Sequence, residues 1–81
     1  MQIQVTLFAA LREIAGKSIL TIESPDKCSC AEVVSEVRQK VPALAEILNS
    51  SLVAVNGAYV DKNTVVSAED EIAILPPVSG G

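Results

Sequence analysis

Residues 29–41 read SCAEVVSEVRQKV, and this segment predicts the one long helix on which the architecture depends. Ser29 and Glu32 form the S-x-x-E pattern of a capping box, which places the helix start at Ser29. Apolar residues then recur with helical spacing and form one stripe: Cys30, Val33, Val34, Val37 and Val41. Val41-Pro42 closes the helix, since the residue before a proline is disfavoured in helical geometry. The stripe predicts a helix that packs on a sheet.

Segments on both sides of this helix predict the strands of that sheet. In the first, Ile3, Val5 and Leu7 alternate with polar residues, the period of a half-buried strand. Asn56-Gly57 is the strongest short-range hairpin signal in the chain. The remaining predicted strands are a segment around Leu20 and Ile22 that ends at the turn Ser24-Pro25-Asp26, then Leu52 to Val55, Ala58 to Val60, and Glu71 to Leu75. In the last strand, Ile72 and Ile74 are expected to face the core, with Ala73 and Leu75 on the opposite face.

Two shorter helical segments complete the pattern. Phe8, Leu11, Ile14 and Ala15 have helical spacing, and Gly16 follows as a C-terminal stop, so a short helix is predicted from Phe8 to Ala15. Pro42 can open a further short turn. Three residues of that turn are expected to point inward: Leu44, Ile47 and Leu48.

The order of these elements predicts an α+β fold of the β-grasp, or ubiquitin-like, class. One main helix would cross a mixed sheet, with no internal repeat and no second core. We expect residues 1–75 to form the domain and residues 76–81 an extended C-terminal tail. A fold of this kind does not by itself give a function.

Composition excludes several function classes. The 81 residues contain no histidine, which removes histidine-based triads and histidine metal ligands. Ten acidic residues against six basic ones give a net charge of −4 with no basic stripe, so nucleic acid is not an expected partner. An acidic surface favours a basic docking face on a protein partner. The longest apolar run, Leu7 to Leu11, is too short to span a membrane, and we expect a cytoplasmic protein.

The two cysteines are one residue apart but do not predict a site. Two thiolates cannot complete a tetrahedral zinc site, and a disulfide over one intervening residue would be strained. No metal is therefore expected. Cys30 is interpreted as a small core residue at the helix start and Cys28 as a loop residue before it.

The C-terminal tail is the strongest functional feature. Gly80 and Gly81 end the sequence at a carboxylate with no side chain beside it, so a narrow channel could close around the backbone. Pro76 and Pro77 favour an extended segment, which at about 3.3 Å per residue reaches roughly 20 Å. The main-chain carboxylate of Gly81 is thus the candidate reactive group, although a frayed terminus of no function has the same appearance.

Three motifs together make the chain resemble a known family. The opening VTLFAALREIAG, the hairpin VAVNGAYV and the ending ILPPVSGG are similar to those of the small, sulfur-carrying subunits of molybdopterin synthase, over essentially the whole chain. One departure is visible, because Glu69 stands where such chains commonly carry glycine before Asp70-Glu71. This puts the geometry of that turn in doubt.

The resemblance implies a sulfur carrier with no catalytic residues of its own. An E1-like enzyme would adenylate Gly81 with ATP, a sulfur donor protein would convert it to a thiocarboxylate, and the large synthase subunit would receive the tail. There the sulfur would pass to a cyclic pyranopterin. The resemblance also implies a heterotetramer with the large subunit, and it implies that this chain alone binds no cofactor. The residues implied to line the insertion path are Gly80, Ser79, Val78, Pro77 and Pro76.

Two residues are candidate anchors for docking. Phe8 breaks the alternation of the first strand and is the only phenylalanine, and Leu75 lies beside the tail. Each could equally be ordinary core.

Three alternative functions stay open. A thiamine-type sulfur carrier would share the diglycine but is typically shorter and lacks the helix from Phe8 to Ala15. A ubiquitin-like modifier would attach Gly81 to lysines of target proteins. A plain binding module would keep its role without Gly81.

Overall fold

Five strands form one mixed sheet in the order β2-β1-β7-β4-β5 in the computed structural model, which describes residues 2–25 and 27–77. Their bounds are β1 Gln2–Leu7, β2 Ile19–Glu23, β4 Leu52–Val55, β5 Ala58–Val60 and β7 Ile72–Leu75. The helices are α1 Ala10–Ala15, α2 Cys30–Lys40 and α3 Ala45–Leu48, with a 3₁₀ turn at Pro42–Leu44 before α3. This arrangement confirms the predicted β-grasp fold.

The last strand, β7, lies at the centre of the sheet. It runs parallel to β1, with Leu7 opposite Ile74, and antiparallel to β4, with Leu52 opposite Leu75. A central strand has its backbone paired on both sides, so its position is fixed by two neighbours. Pro76 and Pro77 therefore follow directly from a strand that is paired on both sides.

One face of the sheet packs against α2 and forms the core. Ile3, Val5, Leu7, Ile72 and Ile74 are all buried, as the alternation predicted. The α2 stripe is buried at Cys30, Val33, Val34 and Val37, and Val41 packs partly buried beside it. Of the residues expected to point inward after Pro42, Leu44 and Leu48 are buried and Ile47 is partly buried.

The predicted capping box is present at the start of α2. The Ser29 hydroxyl accepts a hydrogen bond from the Glu32 backbone N–H at 3.2 Å, and the Glu32 carboxylate accepts one from the Ser29 backbone N–H at 3.0 Å. This exchange satisfies donors that a helix N-terminus leaves without partners.

The first helix begins later than the sequence predicted. Ala9 has a φ of 52°, which ends the extended backbone and excludes Phe8 from the helix. Leu11 is buried, but Ile14 is 46% exposed, so helical spacing did not place all four apolar residues inward. Gly16 ends α1 in the left-handed conformation with φ 77°, as expected.

The prediction that Cys28 is a loop residue was wrong. Cys28 and Ser29 form a two-residue strand, β3 Cys28–Ser29, which pairs antiparallel with β6 Val65–Val66 in a second small sheet. Cys28 is buried because its partner in this pairing, Val66, is a core residue. The predicted turn after β2 contains Asp26, which lies outside the described residues.

Candidate functional site

The site begins where the C-terminal tail leaves the sheet. β7 ends at Leu75, which is half-buried, and Pro76 is also half-buried while Pro77 is exposed. The predicted tail residues Val78, Ser79, Gly80 and Gly81 lie outside the described residues. The structure describes the first two tail residues, Pro76 and Pro77, which follow the central strand and which we call the root of the tail.

Phe8 lies next to this root. Its backbone N–H donates a hydrogen bond to the Ile74 carbonyl at 3.3 Å, which extends the parallel β1–β7 pairing by one residue. The side chain is 43% exposed, so Phe8 is not a core residue. Its backbone position depends on the unusual conformation of Ala9, because φ 52° and ψ −125° turn the chain away from the sheet.

The strand register gathers further apolar side chains on the outer face of the sheet, opposite α2. Ala54 pairs with Tyr59 on one side and with Ala73 on the other, and Leu52 pairs with Leu75. Residues that pair directly across strands share a face. We call this surface the docking face, and it consists of Phe8, Leu52, Ala54, Tyr59, Ala73 and Leu75. Leu52 is 37% exposed and Tyr59 63% exposed, so the face presents large apolar groups to solvent.

A groove of about 420 Å³ runs along this face. Its apolar floor and walls come from Phe8, Ala54, Tyr59, Ala73 and Leu75, and its polar end from Asn56, Gly57 and Glu71. Phe8 and Leu75 were predicted from the sequence as docking anchors, whereas Tyr59 was not. The alternation of β5 and the hairpin register set by Asn56-Gly57 could have placed Tyr59 on the same face as Ala54.

The polar end of the groove is fixed by a set of hydrogen bonds that we call the Asn56 clasp, formed by Asn56, Ser67, Asp70 and Glu71. The Asn56 backbone N–H donates to the Glu71 carbonyl at 2.8 Å, and the Glu71 backbone N–H donates to Asn56 Oδ1 at 2.9 Å. Asn56 Nδ2 donates to Asp70 Oδ1 at 3.1 Å. The clasp joins the β4–β5 turn to the start of β7.

Asp70 is the charged member of the clasp. Its carboxylate accepts the Ser67 backbone N–H at 2.8 Å. This hydrogen bond, followed by the one from the Asn56 side chain, lowers the pKa of Asp70 below its ordinary value, because both favour the ionised carboxylate. The turn also closes through Asp70 N–H to Ser67 O at 3.1 Å, with Glu69 in it and without a positive φ at Glu69. Glu69 is therefore compatible with the geometry of this turn.

The cysteines do not contribute an accessible nucleophile. Cys28 and Cys30 are both free and buried. Burial, and then the proximity of Cys28, raise the pKa of the Cys30 thiol, which keeps it protonated and unreactive. Within residues 2–25 and 27–77, no group of three potential metal ligands comes together.

The part of the chain that the structure describes holds no helix with the length and apolar character needed to cross a bilayer.

Comparison with known proteins gives one family. The ThiS family model matches residues 5–81. The molybdopterin synthase sulfur carrier subunit of Arabidopsis thaliana is 36% identical over 81 residues, covering 100% of this chain and 84% of that protein.

Two solved structures are similar over nearly the full length. The solution structure of small archaeal modifier protein 1 from Methanosarcina acetivorans has a TM-score of 0.81 at 33% identity and covers 99% of this chain and 96% of its own. A complex of subunits 1 and 2 of molybdopterin-converting factor from Helicobacter pylori matches with a TM-score of 0.65 at 28% identity, covering 100% of both chains. The chain therefore belongs to the ThiS family, as a ubiquitin-like β-grasp protein related to the sulfur carrier subunits of molybdopterin synthase.

Proposed function

We propose that this chain is the sulfur carrier subunit of a molybdopterin synthase and that Gly81 carries the sulfur. The observation behind the proposal is the position of the tail root, at the end of the central strand and beside the exposed apolar docking face. The 36% identity to a curated sulfur carrier subunit supports it. A terminal carboxylate on such a tail can be presented to a partner's active site while the domain is held by its docking face.

Activation has to come from a partner, because a carboxylate is a poor electrophile. An E1-like enzyme supplies ATP, the Gly81 carboxylate attacks the α-phosphorus, and pyrophosphate leaves. Hydrosulfide released by a sulfur donor protein then attacks the acyl carbon of the adenylate, the C–O bond to AMP breaks, and a thiocarboxylate and AMP remain. This chain contributes the acyl group, and its own cysteines are too buried to act as the donor.

The large synthase subunit is the proposed recipient of the sulfur. A solved complex of two molybdopterin-converting factor subunits supports pairing with such a partner. In our proposal, Phe8 and Leu75 dock on the large subunit while Pro76 to Gly81 extend into its site, where sulfur passes to a cyclic pyranopterin. The effective concentration of the thiocarboxylate is then set by the partner's geometry. We propose a heterotetramer of two small and two large subunits in the cytoplasm.

Intact mass spectrometry tests the activation step. The full chain is incubated with the activating enzyme, ATP and a sulfur source, and the expected product has one oxygen of the Gly81 carboxylate replaced by sulfur. A chain with one alanine added after Gly81 is the control and should not react. If the normal chain keeps its mass while the activating enzyme consumes ATP on another substrate, the proposal is wrong.

A second candidate is a ubiquitin-like modifier conjugated through Gly81. The likeness to an archaeal modifier protein at 33% identity favours it. The same activated Gly81 would then form isopeptide bonds with lysines of other proteins. Lysine-linked adducts of higher mass in cell extract, lost when Gly81 is deleted, would establish this function alongside or instead of sulfur transfer.

A thiamine-type sulfur carrier is less well supported. Such proteins typically lack a helix between the first two strands, and α1 occupies that place here. The product that contains the sulfur distinguishes the two functions: a molybdopterin synthase subunit passes the sulfur to a pyranopterin, and a thiamine-type carrier supplies it for a thiazole.

A further inference from the structure

The β4–β5 turn contains a reactive dipeptide that sulfur transfer does not use. In Asn56-Gly57, glycine has no Cβ to keep its backbone nitrogen away from the asparagine side chain. The Gly57 nitrogen, after losing its proton to solvent, can form a bond to Cγ of Asn56 while the Cγ–Nδ2 bond breaks and ammonia leaves. Water then opens the cyclic imide at either carbonyl, which gives aspartate or isoaspartate.

Folding opposes this reaction through the Asn56 clasp. Both side-chain polar atoms of Asn56 are engaged, Oδ1 with the Glu71 N–H at 2.9 Å and Nδ2 with Asp70 Oδ1 at 3.1 Å. The backbone is held as well, by the 2.8 Å hydrogen bond from the Asn56 N–H to Glu71 and by the left-handed conformation of both turn residues. Cγ can meet the Gly57 nitrogen only after some of these contacts break.

We propose that Asn56 is a latent deamidation site, restrained by the clasp, and that its conversion opens the β4–β5 hairpin and removes Tyr59 from the docking face. The proposal is independent of which protein the docking face binds. It makes the Asn56-Gly57 turn a modification site that responds to the age of the protein and to loosening of its fold.

The products are incompatible with the clasp for two reasons. Aspartate at position 56 replaces the Nδ2 donor with an oxygen that faces the Asp70 carboxylate, and like charges at this distance repel. Isoaspartate also adds a carbon to the backbone of a two-residue turn whose geometry requires left-handed conformations at both positions. The register that places Tyr59 opposite Ala54 depends on this turn.

The rate of Asn56 deamidation tests whether the clasp restrains the reaction. The full-length protein is incubated at neutral pH and 37 °C, and Asn56 is followed by peptide mass spectrometry in the folded state and in urea. We expect conversion to be at least about tenfold slower in the folded protein, because hydrogen bonds must break first. Equal rates in the two states would overturn the proposal.

Variants assign the restraint to the clasp. Asp70→Ala removes the contacts of Asn56 Nδ2 and of the Ser67 N–H but leaves both Glu71 hydrogen bonds, so its folded rate should lie between the wild-type rates in the folded state and in urea. Asp61→Ala is the matched control, since Asp61 accepts the Asn63 backbone N–H at 2.8 Å in a different turn, and its rate should equal that of the wild type. Asp70→Asn preserves size but can satisfy only one of two donors, so it gives a faster rate than the wild type even if Asp70→Ala does not fold. A wild-type rate in both Asp70 variants would refute the role of the clasp.

Hydrogen exchange tests the structural consequence. The deamidated protein carries one more negative charge and can be separated by ion exchange. We expect its β4–β5 hairpin amides to exchange at least about tenfold faster than in the unmodified protein, while the α2 amides remain unchanged. Unchanged protection of the hairpin in the isoaspartate form would contradict the proposed opening.

Discussion

Replacing Phe8 with alanine should weaken docking to the large synthase subunit by up to about 30-fold. A phenylalanine side chain has roughly 200 Å² of surface, and Phe8 leaves 43% of its surface exposed. About 85 Å² is therefore free to be buried by a partner, which at about 25 cal/mol per Å² gives about 2 kcal/mol. That free energy corresponds to roughly a 30-fold change in Kd.

The assay is isothermal titration calorimetry of the full chain against the large subunit. Ile14→Ala is the matched control, because Ile14 is 46% exposed but belongs to α1 and not to the docking face. Circular dichroism first checks that both variants are folded, since Phe8→Ala also loses the buried part of the ring, worth about 2–3 kcal/mol of unfolding free energy. Equal Kd values for Phe8→Ala and the wild type, or equal losses in both variants, would refute the assignment of Phe8 as a docking anchor.

Three further predictions concern stability and pH. Ala9→Gly should raise the unfolding free energy measured by urea titration by about 1 kcal/mol, because φ 52° and ψ −125° strain an alanine. An unfolding free energy below that of the wild type would contradict the observed backbone conformation. Ser29→Ala should lower it by about 1 kcal/mol through loss of the capping box, and an unchanged urea midpoint would argue against that contribution. The pKa of Asp70 in the folded protein lies below the ordinary 3.8, so its ionised carboxylate stabilises the fold above pH 3.8, and this stabilisation is lost as pH falls through the folded pKa. Asp70→Asn should therefore weaken the dependence of the unfolding free energy on pH in this acid range. The same pH dependence in the variant and the wild type would refute the lowered pKa.

Local patterns predicted most of the fold. The alternation of Ile3, Val5 and Leu7 and the stripe of α2 depend only on which side chains face the core, so the sequence shows them directly. The Ser29–Glu32 capping box is likewise an interaction over three residues. Such features need no knowledge of the tertiary structure.

Three differences between the predictions and the structure have separate causes. β3 exists because Cys28 pairs with Val66, far along the chain, and two residues alone have no detectable strand pattern. The predicted start of α1 was too early because Ala9 adopts a positive φ, a conformation for which alanine has no preference. Tyr59 lies on the docking face because the β4–β5 register, which the Asn56-Gly57 turn sets, pairs it with Ala54.

The most direct measurement follows the sulfur itself. The chain bearing the Gly81 thiocarboxylate is mixed with the large subunit and a cyclic pyranopterin, and both reactants are followed by mass spectrometry. We predict that the chain returns to the carboxylate mass as the pterin gains sulfur, and that neither change occurs without the large subunit. A thiocarboxylate that persists in the complete mixture would contradict a role for this chain as a sulfur carrier.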